Sequence, residues 1–234
     1  MKLKYLVTGG AGFIGSHLVE LLVKKGHKVR VLDNFSTGFA SYLKPFQGKV
    51  EVQKGDVRNT RDCLRAVRGV EVVFHEAAFT SVAKSVETPS EVHEIDATGT
   101  LNMLEAAKTA GVRRFVYASS CSVYGNATRF PLREGDPIKP LSPYAVAKLT
   151  GELYTYSYFV NYGLETVALR YFNVFGSRQN PMSKYSAAVP GILSRLKKGQ
   201  APVIYGDGKQ SRDFVHADDV AMANFLASKV PAAK

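Results

Sequence analysis

The sequence predicts an α/β fold, a doubly wound parallel sheet. Three observations lead there. Short apolar runs alternate with helix-period segments along most of the 234 residues. A glycine-rich turn sits between the first apolar run and the first helical segment. No internal repeat, low-complexity stretch or long linker interrupts the alternation. Such a βαβα rhythm packs as parallel strands with helices on both faces.

The elements follow in order. Tyr5–Val7 reads as a strand and Phe13–Lys25 as an amphipathic helix. Val29–Leu32 is the second strand, and a polar loop then runs to Gly48. Val50–Gln53 is a strand, Asp62–Val67 a helix and Val70–Phe74 a strand. Pro89–Ala110 predicts one long helix, with proline at its start and Gly111 at its end. Phe115–Ala118 is a strand, followed by a loop rich in Pro and Gly to Ser142. Tyr144–Tyr162 is a helix closed by Gly163, Thr166–Arg170 a strand and His216–Ser228 a helix. After Tyr171 the pattern loosens, which predicts a small extra lobe.

Composition narrows the function classes. Hydrophobic residues make up 45%, ordinary for a soluble globular chain. No apolar run approaches the roughly 18 residues that span a bilayer, and the N-terminus lacks a secretory pattern. A cytoplasmic protein without a membrane partner is expected. Cys63 and Cys121 lie far apart, with no CxxC pair and no His/Cys cluster, so no metal site is expected. The formal charge of +11 attracts anions, whether nucleic acid or an anionic cofactor and substrate. The lysines and arginines are spread along the chain, so most are read as solvated surface and nucleic acid is not the expected partner.

Gly9, Gly12 and Gly15 follow the first strand at G-x-x-G-x-x-G spacing and open the first helix. One glycine permits the tight turn, one lets backbone approach a pyrophosphate, and one lets helix and strand pack closely. The helix N-terminus offers unpaired N–H groups to phosphates. Asp33 closes the second strand, where an acid accepts hydrogen bonds from ribose hydroxyls and repels a 2′-phosphate. That favours NAD over NADP. Arg30 is expected to point away from Asp33, since residues three apart along a strand face opposite sides. Asp56 after the third strand is placed either on the adenine amino group or as an acid at a helix N-terminus.

Tyr144 and Lys148 are four apart on a predicted helix and share a face. A phenol with a pKa near 10 needs a drop of roughly three units to act as a base near neutrality. A neighbouring ammonium and an oxidised nicotinamide both favour the phenolate. Upstream, the strand ending at Ala118 runs into Ser119, Ser120, Cys121 and Ser122. A serine there can bond both a substrate hydroxyl and the tyrosine, or simply satisfy a polar turn.

These residues resemble the extended short-chain dehydrogenase/reductases. The resemblance rests on Thr8–Gly15, the run Asp33-Asn34-Phe35-Ser36-Thr37-Gly38, and His75-Glu76-Ala77-Ala78. It continues through Ser120 with Val123-Tyr124-Gly125, Tyr144 with Lys148, Arg170–Gly176 and Arg212–His216. Within that family the sequence is most similar to the UDP-glucose (galactose) 4-epimerases and their N-acetylated relatives. The resemblance implies a Rossmann-type NAD domain over residues 1–171. Residues 172–234 would form a partial substrate lobe, apparently truncated, with a helix returning to the first domain.

It also implies roles. Tyr144 would be the base for the sugar 4-hydroxyl, Lys148 would hold the nicotinamide ribose, and Ser120 would orient the 4-oxygen. Phe13, Ile14, Asn34, Ser36, Gly38, Val57, Ala77 and Tyr171 would join the glycines, Asp33 and Asp56 around NAD. Ser81 and Ser122 would lie beside the sugar. Asn173 and Arg212 would grip the diphosphate of UDP, Arg212 alternatively pairing with Asp213, and Tyr205 would pack near the uracil. Hydride would leave carbon 4, the 4-keto sugar would rotate, and hydride would return to the other face. A homodimer through the Pro89 and Tyr144 helices is expected by the same resemblance.

Three other readings remain. Related dehydratases carry an acid pair after the Ser120-equivalent strand, and this chain has Cys121 and Ser122 there, which disfavours elimination. A decarboxylase needs a cationic site for a sugar carboxylate, and none is identified. A non-catalytic dinucleotide-binding protein conflicts with the intact Tyr144 and Lys148. One departure stands out: Asp96 occupies a position where the family often has asparagine.

Overall fold

The computed structural model describes residues 4–180, 188–204 and 206–230. Six parallel strands form the main sheet: β1 (Lys4–Thr8), β2 (Lys28–Asp33), β3 (Val50–Lys54), β4 (Val72–His75), β5 (Arg114–Ser120) and β6 (Glu165–Tyr171). Their spatial order is β3-β2-β1-β4-β5-β6. The order reverses between β1 and β4, and a cleft opens there beyond the carboxyl ends of the strands.

Alternation along the strands builds two cores. Leu6, Leu32, Val73, Phe115 and Tyr117 face one way, against α3 (Thr60–Ala66) and α6 (Gly99–Thr109). Tyr5, Val7, Val31, Phe74 and Val116 face the other way, against α1 (Phe13–Lys24) and α9 (Ala217–Ala227). Leu18, Val19 and Leu22 form the buried stripe of α1. Each fully buried side chain of this kind contributes about 1.5–3 kcal/mol.

Several elements differ from expectation. The polar loop before β3 contains a single helical turn, α2 (Ala40–Leu43), and α4 (Val82–Glu87) forms with the Ser81 hydroxyl capping Lys84 N–H at 3.2 Å. Four-residue and six-residue helices carry too little periodicity to read. Strand β4 begins at Val72, because Val70 turns back to bond Val67 O. The helix expected over Pro89–Ala110 is one continuous path in three parts: α5 (Pro89–Val92), a π-helical turn over His93–Thr98, and α6. Strand β5 runs past Ala118 to Ser120.

Helix α7 (Pro143–Tyr162) starts on the Ser142 hydroxyl and ends at Gly163 in the left-handed region, φ 70°. Beyond it, β7 (Asn173–Phe175) pairs in parallel with β8 (Phe214–His216), and α8 (Ala188–Lys197) precedes β8. The amphipathic α8 lies where the sequence pattern loosens. α9 packs on α1. Arg30 turns away from Asp33 as strand geometry requires. Its guanidinium donates to the carbonyls of Ala66 (2.5 Å) and Arg68 (2.9 Å), closing the C-terminus of α3.

Candidate active site

The cleft at the sheet's switch point has a volume of about 420 Å³. Every residue expected around the dinucleotide lines it, from Gly9 on the loop to Tyr171 at the end of β6. Ser81, Ser120, Ser122, Asn173 and Arg212 lie outside its walls, and Tyr205 falls outside the described residues.

The loop geometry follows from its glycines. Gly9 sits at φ +66°, and a Cβ there would meet Ala77 N at 2.8 Å. Gly9 N–H bonds Leu32 O and Gly12 N–H bonds Gly9 O, which straps the loop to β2. No side chain caps α1, so its first-turn N–H groups are left for a ligand. Asp33 is buried and accepts Ala11 N–H at 2.9 Å and Phe35 N–H at 2.8 Å. Burial pushes its carboxyl upward against those two donors. Asp56 is gripped by Arg58 in a fork, at 3.0 and 2.8 Å, and also accepts from Asn34. Arg58 first, then Asn34, hold its carboxyl below the usual range despite partial burial. The fork leaves Asp56 as an ionised wall of the cleft.

Beneath the loop lies a polar chain that no local sequence pattern marks. Thr100 donates to Asp96 O at 2.5 Å, so its oxygen accepts from His75 Nε2 at 3.1 Å. His75 Nδ1 is then an acceptor for the Thr8 hydroxyl at 2.9 Å, and Ala77 N–H closes on Thr8 Oγ1. Only a neutral Nε2–H imidazole satisfies all four bonds. Burial pushes His75 down to about 3, assisted by Lys148.

Helix α7 presents Tyr144 and Lys148 to the cleft. Lys148 is 3% exposed, donates to Ala118 O at 3.0 Å, and lies 5.8 Å from the centroid of the Tyr144 ring. Burial alone pushes its ammonium down; Tyr117, Asp96, Tyr144 and Glu76 together reverse this and hold it charged. The expected depression of Tyr144 is not what the chain's own groups produce. Burial raises the phenol, and Asp96 adds to that. Lys148 and hydrogen bonding from Ser120 only partly offset the rise. The four-residue spacing shows the ammonium but not its buried counter-charge. Glu76 is a further carboxyl in the wall, pushed up to about 7 by burial against Tyr171 and Lys148. It accepts the Tyr171 hydroxyl at 2.9 Å, and Asn224 on α9 donates to the same hydroxyl at 2.5 Å. The Tyr171 hydroxyl is therefore engaged inside the protein.

Ser120 ends β5 and its hydroxyl accepts Ser122 N–H at 3.2 Å. Ser122 Oγ is buried in the 3₁₀ turn Cys121–Tyr124, without a hydrogen-bond partner among the described residues. Arg170 pins the neighbouring Glu152 in a two-point contact, at 2.9 and 2.7 Å, and Ser119 bonds the same carboxylate. Asn173 binds Asp213 O through both its N–H and its Nδ2, tying β7 to the start of β8. Arg212 is exposed and donates to Ser211 O at 2.7 Å.

A parallel sheet with a glycine loop at its switch point, beside a half-buried tyrosine and a buried lysine, defines a Rossmann-type dinucleotide enzyme. Comparison with known proteins narrows the class. The chain belongs to the NAD dependent epimerase/dehydratase family, whose model matches residues 5–234. It is 42% identical to a putative UDP-glucose 4-epimerase of Methanocaldococcus jannaschii over 95% of this chain and 72% of that protein. It is 35% identical to a UDP-N-acetyl-alpha-D-glucosaminuronate decarboxylase of Bacillus cytotoxicus, over 97% of this chain and 72% of that one. Its fold matches a UDP-N-acetylglucosamine 4-epimerase of Methanobrevibacter ruminantium M1, crystallised with UDP-N-acetylmuramic acid. The TM-score is 0.94 at 40% identity, covering 98% of this chain and 74% of that one. The family's cofactor is NAD, and the glycine cradle, the uncapped α1 and Asp33 fit it. Among the described residues, no helix is long and apolar enough to cross a membrane.

Proposed function

We propose that this chain is a nucleotide-sugar 4-epimerase that interconverts UDP-glucose and UDP-galactose, or their N-acetyl forms. The observation that carries the reading is the turn after β5. It carries Ser120, Cys121 and Ser122, with no carboxyl group among them, and Ser120 hydrogen-bonds the Tyr144 phenol. Epimerisation needs one base and a reversible hydride carrier, whereas elimination needs an added acid and base. Bound NAD supplies the hydride acceptor and donor. Tyr144 takes the proton of the sugar 4-hydroxyl and returns it, Ser120 orients the 4-oxygen, and Lys148 holds the ribose and keeps a positive charge under the phenol. Residues 172–234 form the part of the substrate lobe that carries Asn173 and Arg212 for the diphosphate.

An NMR time course of the protein with NAD tests this. UDP-glucose, UDP-galactose, their N-acetyl forms and a UDP-uronate are offered separately. The 4-epimer of a neutral sugar is expected. Loss of carboxylate from the uronate as the sole change would replace the epimerase reading with the decarboxylase one.

The same reading includes a homodimer. Val146, Leu153 and Val160 recur every seven residues along α7 and are 51%, 62% and 59% exposed, beside Tyr156. That apolar stripe supports pairing through α7. Sedimentation is expected to show a dimer that Leu153→Asp converts to monomer; a wild type monomeric at every concentration would refute the pairing.

A further inference from the structure

Asp96 lies in the π-helical turn between α5 and α6, and only 1% of its surface is exposed. π-turns inside helices recur at functional sites because they reorient a side chain at the expense of regular hydrogen bonding. Here the turn aims a carboxylate at Lys148. One oxygen, Oδ1, accepts Phe79 N–H at 2.6 Å. The other, Oδ2, has no hydrogen-bond partner among the described residues and stands 3.9 Å from Lys148 Nζ. A buried carboxylate oxygen without a donor is costly and persists where another requirement holds it.

We infer that Asp96 is a positioning residue that sets the basicity of Tyr144, by cancelling at the phenol part of the charge that Lys148 provides. The inference rests on the reading of Tyr144 as the base. The physical step is short. An isolated ammonium beneath the ring favours the phenolate. A carboxylate 3.9 Å from the same ammonium turns that point charge into a dipole, whose field falls off faster with distance. Burial pushes the Asp96 carboxyl up, and Lys148 first, then the Phe79 N–H, work against that rise; Lys148 is held charged in turn. Other titratable groups around the pair are Tyr117 from β5, Glu76 after β4, and Cys121 beyond Ser120. His75 is neutral in its polar chain and adds no charge. Tyr117 is pushed up to about 12, so it too stays neutral over the working range. Glu76, pushed up to about 7, also changes charge near neutrality, and it is common to every variant below.

Asp96→Asn removes the charge and keeps an oxygen for Phe79 N–H. The phenolate absorbance is titrated in the NAD-loaded protein, and the same titration of Tyr144→Phe is subtracted to isolate Tyr144. In Asp96→Asn the Tyr144 midpoint is expected to fall by about one pH unit. Asp96→Ala should give the same shift with a lower melting temperature, because Phe79 N–H loses its acceptor. A Tyr144 midpoint unchanged in both variants would overturn the inference. Turnover is not the readout, so a shifted midpoint in a protein that epimerises no sugar tested would sustain the role of Asp96 while removing the substrate assignment.

Discussion

Tyr144→Phe is expected to lower turnover by about 10²–10⁴-fold while leaving NAD bound. The substitution removes one oxygen and keeps the ring that lies 5.8 Å from the Lys148 ammonium. The glycine loop, Asp33 and the neutral His75 chain are untouched, so cofactor content released on denaturation should match wild type. The proton of the sugar 4-hydroxyl would then lose its assigned acceptor, and Glu76, a further carboxyl in the cleft wall, is engaged by the Tyr171 hydroxyl. Glu152 is locked to Arg170 and Ser119, and Lys148 is protonated. Ser120 has no base of its own. The NMR assay for 4-epimer formation measures the loss directly. Wild-type turnover in the variant would mean that the assigned base is wrong and that another group near the end of β5 carries the proton.

In the chain alone, burial raises the Tyr144 phenol and Lys148 only partly offsets it. A buried phenolate gains from a positive charge placed over it, and an oxidised nicotinamide would bring one. Basicity would thereby be tied to the cofactor's oxidation state. The tyrosine would be a better base when hydride is to be accepted, and its phenol a better acid once hydride has been transferred.

Much of this arrangement is legible in the sequence because it is local. The spacing of Gly9, Gly12 and Gly15 fixes a strand–turn–helix, and the four-residue step from Tyr144 to Lys148 fixes a shared helix face. The handedness of βαβ crossovers fixes the face on which each connecting helix packs but not the strand order, so the meeting of the ends of β1 and β4 at the cleft is seen only in the fold. The parts that are not legible are contacts between distant segments. Nothing local marks Glu76 as the partner of Tyr171 and Asn224, or His75 as neutral. The π-helical turn at Asp96 is invisible to a helical period, because one extra residue in a turn only rotates the stripe. Ser81 is expected beside the sugar, and its use as the cap of a six-residue helix depends on tertiary support rather than on propensity. Ser122 is expected beside the sugar, and its buried hydroxyl shows how a tight turn can point a polar side chain inward.

Gly15→Ala is expected to cost more than any surface change, in stability and in NAD affinity together. A Cβ at position 15 would lie 2.3 Å from Gly9 O and 2.9 Å from Gly10 Cα, both backbone atoms. Neither can rotate away. Gly9 N–H is tied to Leu32 O, and Ala77 closes over Gly9 from the other side. The relief is therefore a shift of α1 away from the loop by about 1 Å, the gap to ordinary contact. That shift strains the packing of Leu18, Val19 and Leu22 on the sheet, at about 1–3 kcal/mol. It would also move the first-turn N–H groups away from the pyrophosphate they are assigned to hold, weakening NAD binding. Gly26→Ala is the control. Gly26 sits just after the same helix at φ +78°, and a Cβ added there would meet no heavy atom within 4 Å. It should lose about 1–2 kcal/mol to left-handed strain and keep its NAD affinity. Thermal melts and NAD titration of the two variants separate helix strain from loop geometry. Equal NAD affinity in Gly15→Ala and wild type would show that the loop does not hold the pyrophosphate through the start of α1.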